Sequence, residues 1–372
     1  MKRETKTGFI SLLLVPIAIT AIVFCIIAHR RAVKTEKNDY MFGVMYSYHD
    51  RDAVVQYYSE DGIYLFEDSI PNVRACGLCS STGKPYMKIN GMYYFASDAA
   101  FDNSIDNCIL KIDPVQCTYT SIHTGMENNF TYTFTIDDRN GIVYSYYSGE
   151  PEWGCVYSSN LNGVKQDYYP FNALEGYAKY ISDTEHFWPL DMVCVDETQY
   201  YIGYIVNSVE RTLCISSVTN NEFKVLATLN GYLFSNGMIF SDGDIYFSVF
   251  REGTRTCIYR YNVKDCSLDK HISLPYVSNN VDIVSHKDRL VLLDCSRSAS
   301  DAVKQILYIN SDLEILDEFV VSHDLRVYDF RRDSFVCSDG RFVYIYDLNW
   351  NEKHAFTLPG IQGMKFSGLI VP

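Results

Sequence analysis

From residue 40 onward, apolar and polar residues alternate in short runs and show little helical periodicity. The runs are rich in Tyr, Val, Ile and Phe, and Gly, Asn and Asp separate them. This pattern predicts β-strands joined by close turns, and so an all-β fold. One strand-and-turn unit recurs. Runs 108–112, 155–159, 214–218 and 257–261 each open on a cysteine and lead into Asp113-Pro114, Asn160, Thr219 and Asn262. Runs 306–309 and 342–346 lead into Asn310 and Asp347, and run 54–58, before Ser59, is the first copy. The seven copies begin 36 to 59 residues apart.

A second register lies upstream. Asn90-Gly91, Asn140-Gly141 and Asp242-Gly243 each precede a strand-like run. Such dipeptides supply the positive φ angles of tight hairpins. Each repeat then reads as strand A, tight turn, strand B, variable loop, strand C, polar turn, strand D. Four antiparallel strands per repeat of this length make a β-propeller blade. One blade cannot bury both its faces, and stacking around an axis does so. Six full blades fit between residues 73 and 360. Residues 43–70 supply only strands B to D, and 364–371 can add the missing inner strand. The expectation is a seven-bladed propeller with terminal strand closure. Six or eight blades, or two β-sandwiches, are the alternatives. Over residues 40–372 this rhythm resembles the TolB-like and NHL-like propellers that are secreted or membrane-tethered. A WD series, a kelch double glycine and a sialidase-type Asp-box are missing, so the resemblance assigns no catalytic residue.

Residues 8–28 change the picture, because they carry no charge over 21 positions. About 20 apolar residues span the hydrocarbon core of a bilayer as a helix. The expected organisation is a tail at 1–7, a transmembrane anchor at 8–28, a linker at 29–39 and the propeller at 40–372. Lys2, Arg3 and Lys6 precede the run, and Arg30, Arg31, Lys34 and Lys37 follow it, so flanking charge barely sets orientation. A short N-terminal tail before one span is the plan of a signal anchor, which places the propeller outside the cytoplasm. The net charge of −14 argues against nucleic-acid binding.

Eleven cysteines follow the apolar run. Those that open strand C alternate with Ile306 and Phe342 in other repeats, so they read as small buried apolar residues. Cys76 and Cys79 form a CxxC, read as two structural cysteines, a local disulfide, a redox pair or half a zinc site. The eight histidines show no i, i+4 helical pair and no HxH, so no metal or cofactor is expected. Asp98, Asp102 and Asp106 form an acidic loop, solvated or Ca²⁺-binding.

The candidate binding residues lie in loops of one mouth. The D–A loop expected at 173–189 holds Tyr180, His186 and Trp188, and the B–C loop 146–154 holds Glu150, Glu152 and Trp153. Aromatic faces beside carboxylates suit a sugar ring or a protein partner. The same loops could instead pack on each other as a plug. A basic loop, 251–255, belongs to the same face and reads as an anion site or a solvated turn. Three functions fit: a membrane-tethered module that binds a glycan or protein, a propeller hydrolase or lyase with an axial metal or carboxylate site, and a structural subunit of a membrane complex.

Overall fold

The structure is a computed structural model. It describes residues 40–48, 50–76, 86–97, 108–123, 130–148, 155–161, 165–296, 304–323, 325, 327–331 and 333–372. The apolar run at 8–28, Cys79, the acidic loop and the residues Glu150, Glu152 and Trp153 lie outside these. Among the described residues no helix is long and apolar enough to cross a membrane.

Seven four-stranded antiparallel sheets make a seven-bladed β-propeller. Blade 1 contains β1 (Phe42–Tyr48), β2 (Arg51–Tyr58) and β3 (Tyr64–Ile70). Blade 2 holds β4 (Tyr86–Ile89), β5 (Met92–Ser97), β6 (Cys108–Asp113) and β7 (Thr118–His123). Blade 3 holds β8 (Phe130–Asp137), β9 (Ile142–Ser148), β10 (Cys155–Asn160) and β11 (Lys165–Pro170). Blade 4 holds β12 (His186–Val195), β13 (Thr198–Val206), β14 (Arg211–Thr219) and β15 (Glu222–Leu229). Blade 5 holds β16 (Leu233–Ser241), β17 (Asp244–Phe250), β18 (Cys257–Asn262) and β19 (Ser267–Ser273). Blade 6 holds β20 (Val281–His286), β21 (Arg289–Asp294), β22 (Lys304–Ile309) and β23 (Ile315–Val321). Blade 7 holds β24 (Val327–Arg331), β25 (Ser334–Ser338), β26 (Phe342–Asp347) and β27 (Glu352–Thr357). The last strand, β28 (Lys365–Ile370), pairs with β1 and completes blade 1 from the C-terminal end. Gly43 faces Ile370 and Val44 faces Leu369 across that joint.

The core lies between blades. Ile202, Leu213 and Ile215 of blade 4 pack against Met238, Ile245 and Phe247 of blade 5. Leu293, Ile306 and Tyr308 of blade 6 meet Phe335, Tyr344 and Trp350 of blade 7. Cys108, Cys155, Cys214 and Cys257 are buried as expected, whereas Phe342 in the same register is 38% exposed. Cys108 stands opposite His123 and Cys257 opposite Ser273, while Cys117 and Cys266 sit in the turns beyond.

Two local expectations need correction. Asn90-Gly91 and Asp242-Gly243 form two-residue hairpins with positive φ at both positions, but Asn140 is not in the left-handed region. There Asp137 pairs with Ile142 across a four-residue loop, and the Asp137 carboxylate accepts from the Asn140 amide at 3.2 Å. The segment read as a D–A loop at 173–189 is also largely ordered. A 3-10 turn at Phe171–Ala173 leads into it, a single helical turn, α1 (Tyr177–Tyr180), lies within it, and β12 already begins at His186.

The candidate functional site

Propeller topology sorts the connections between two faces. D–A and B–C loops lie on one, the mouth, and A–B and C–D turns on the other. His186, at the start of β12, pairs with Val206, at the end of β13, so the mouth edge of blade 4 passes through both. Trp188 lies within β12 directly opposite Tyr204, and directly opposed residues share one face of a sheet. Tyr204 packs with Met238, Phe247 and Val249 of blade 5. Trp188 therefore stands on the blade-5 side of its sheet. Phe187, next in the alternation, is buried on the blade-3 side beside Phe171 and Phe223.

Trp188 is 37% exposed, so it is not a buried plug. His186 is exposed and Tyr180 is half-buried. The Tyr180 ring packs edge-on against Phe223, and the Lys179 ammonium lies 5.3 Å from its centroid. The Tyr177 hydroxyl accepts from the Phe187 amide at 3.0 Å and so ties α1 to β12. Gly203 makes this packing possible. A Cβ there would lie 2.6 Å from the Trp188 carbonyl oxygen and 2.7 Å from the Phe187 ring. Of the six residues proposed from sequence, His186 and Trp188 thus sit on one blade at the mouth, whereas Tyr180 packs on Phe223 beside the C–D turn of the same blade, away from them.

The axis holds a second set of groups that sequence reasoning did not single out. Asp191, Asp282 and Asp329 are buried on the inner strands β12, β20 and β24. An inner strand has a partner on one side only, so alternate amides face the axis without a ladder bond. Each carboxylate accepts from the amide that follows it, at 2.9 Å for Met192, 2.8 Å for Ile283 and 2.6 Å for Phe330. Each also reaches another blade. Asp191 accepts from the Met238 amide of blade 5 at 3.2 Å and from the Thr133 hydroxyl of blade 3 at 3.4 Å. Asp282 accepts from the Tyr328 hydroxyl of blade 7. Asp329 accepts from Lys88 Nζ of blade 2 at 3.1 Å and from the Tyr93 hydroxyl.

The same group captures the end of β28. Lys88 Nζ donates to the Val371 carbonyl at 3.3 Å, and the Val371 amide donates to the Tyr93 hydroxyl at 2.7 Å. Burial raises the Asp329 carboxyl above its ordinary range, with the Lys88 charge opposing. Burial also lifts the Tyr93 and Tyr328 hydroxyls far above theirs, with Asp329 and Asp282 respectively adding to it. The three carboxylates serve as joints between blades. Among the described residues no three His, Cys, Asp or Glu side chains are placed to share a metal ion.

Cys76 and Cys214 are equally inward. Burial pushes Cys76 well above the ordinary thiol range, with neighbouring Cys108 adding to it. A redox pair wants a thiol lowered in pKa. Burial pushes Cys214 up to about 12.

No protein-family model matches the chain, and no curated protein resembles it in sequence. Among solved structures it is similar to the dihydro-heme d1 dehydrogenase NirN in complex with DHE. Identity is 12%, the TM-score is 0.46, and the match covers 89% of this chain and 76% of that one. BamB from Moraxella catarrhalis matches at 11% identity and a TM-score of 0.43, over 86% of both chains. KlHsv2 with loop 6CD replaced by a Gly-Ser linker matches at 10% identity and a TM-score of 0.47, over 75% of this chain and 82% of that one. With TM-scores below 0.5, the assignment of the fold rests on the strand pairing itself.

Proposed function

We propose that this chain is a single-pass membrane protein whose propeller lies outside the cytoplasm and binds a glycan or protein partner at its mouth. The observation that carries the reading is Trp188, held 37% exposed on an inner strand at the mouth of a rigid ring. A tryptophan left in water is a common anchor of recognition surfaces, because its area is large and its rotamer entropy small. His186 extends the same edge, and Glu150, Glu152 and Trp153 belong to the B–C loop of the adjacent blade. The uncharged run 8–28 supports the anchor. The engagement of Asp191, Asp282 and Asp329 in blade joints favours binding over axial hydrolysis.

Two measurements test this. Protease added to intact cells should remove a C-terminal tag, and protection until lysis would refute the extracytoplasmic placement. The purified propeller should retain a ligand from a panel of glycans and surface proteins, and Trp188→Ala should weaken retention at least tenfold with an unchanged melting temperature. Unchanged retention would remove the mouth from the account.

A further inference from the structure

We propose that the mouth edge where blades 4 and 5 meet recognises a carboxylated sugar, with Trp188 as the stacking face and Arg211 and Arg251 as the carboxylate-binding groups. The proposal rests on the binding reading above and names its ligand class. Three placements carry it. Trp188 shares its sheet face with Tyr204, and the Arg211 guanidinium lies 5.2 Å from the Tyr204 centroid. The Tyr204 hydroxyl accepts from the Phe234 amide of blade 5 at 3.1 Å, which fixes that buried ring between the two blades. Leu213 pairs with Leu229, so two residues further toward the mouth Arg211 comes level with Gly231. At Gly231 the chain crosses to blade 5 at φ +76°, and a Cβ there would lie 3.6 Å from the Arg251 guanidinium. Both arginines therefore flank one crossing point at the mouth, with Arg255 further along the Arg251 loop.

The charge pattern points the same way. Acidic side chains outnumber Lys and Arg by 46 to 32, yet Arg211, Arg251 and Arg255 are exposed and form no ion pair among the described residues. Arg260 in the same blade contacts Asp244, Asp269 and Asp312. Glu210 and Glu252 adjoin these arginines in sequence and are exposed, and among the described residues no ion pair joins them. A guanidinium offers a planar fork to a carboxylate, and an indole offers a face to the apolar side of a sugar ring. A neutral sugar would use only the second, and an acidic peptide only the first.

The test uses polygalacturonate, the same polymer with its carboxylates reduced to alcohols, and poly-glutamate, each titrated against the full chain in detergent. Polygalacturonate should bind at least tenfold tighter than the reduced polymer, weaken as salt is raised, and exceed poly-glutamate. Trp188→Ala, Arg211→Gln and Arg251→Gln should each cost about tenfold, and Lys353→Ala on the outer strand of blade 7 should cost nothing. Equal binding of the reduced polymer, equal binding of poly-glutamate, or indifference to these substitutions would each overturn the proposal. If none of the three polymers binds while a protein or neutral glycan is retained through Trp188, this proposal fails and the broader reading stands. If nothing is retained through Trp188, both fail.

Discussion

Lys88 and Asp329 show how single residues hold the ring. The carboxylate is 8% exposed and the ammonium 29%, and they meet across the inner strand that closes blade 1. Removing one member of such a pair leaves an uncompensated charge, which costs about 3 kcal/mol at the lower end of the range. Lys88→Met should lower stability by about that much in urea titration. The double variant Lys88→Met/Asp329→Asn should recover part of it, because no unpaired carboxylate then remains. A double variant as unstable as the sum of both singles would mean that the pair is not coupled. Gly203 acts by close approach, since an added Cβ would meet the Trp188 carbonyl. Gly203→Ala should cost about 1 to 3 kcal/mol, and should also shift Trp188 fluorescence. These residues were hidden in the sequence for a physical reason. Asp191, Asp282 and Asp329 each precede an apolar residue near the start or middle of a strand, which alternation reads as one solvated position. Only closure of the ring puts them on the axis. Trp188 was legible as a mouth residue. Its partner was not, because its sheet face depends on the register opposite Tyr204.

Strand rhythm was the most legible element, because a blade repeats one local pattern of alternation and turn. The closing strand could be foreseen from counting alone: three strands at 43–70 leave an edge, and 364–371 is a strand with nothing else to pair. The lapses came where side chains override the turn rule. Asp137 holds a four-residue loop where Asn140-Gly141 suggested two, and α1 with an early β12 takes up about half of an expected loop. The joint between β1 and β28 carries a prediction at this scale. Ending the chain at Gly363 removes β28, exposes the edge of β1, and takes Val371 from Lys88 and Tyr93. Such a truncation should melt without a cooperative transition and form soluble aggregates by size exclusion. A sharp melt with a monomeric profile would show that the remaining strands close without it.

For the whole molecule, the 31 tyrosines and the direction of the chain matter most. Burial pushes Tyr246 and Tyr308 up to about 12 from an ordinary 10.0. A folded pKa above the unfolded one means that the unfolded chain gives up the proton first. Stability is then intact below about pH 10 and falls as pH rises toward 12. Melting temperature should stay flat up to about pH 10 and then drop, with tyrosinate absorbance at 295 nm rising together with unfolding.

Chain direction decides how the ring faces a bilayer. The Met41 amide donates to the Tyr58 carbonyl at 2.7 Å, and Tyr40 bonds to Pro114 in the C–D turn of blade 2. The chain thus enters the ring on the turn face, opposite the mouth. Eleven residues separate position 28 from Tyr40, and at about 3.3 Å each they extend at most ~36 Å. A path around the rim must cross half a ring and then a blade about 20 to 30 Å deep, so the tether cannot turn the mouth toward the membrane. With residues 8–28 as anchor, the turn face lies next to the lipid and Trp188 faces away. Cys266 is an exposed thiol in the C–D turn of blade 5, and Val209, 85% exposed, lies in a mouth loop. A fluorophore on Cys266 in liposome-reconstituted protein should transfer energy to a lipid-bound acceptor more strongly than one on Val209→Cys in a Cys266→Ser background. The reverse order would invert the assigned geometry, and protein that never partitions into liposomes would remove the anchor instead.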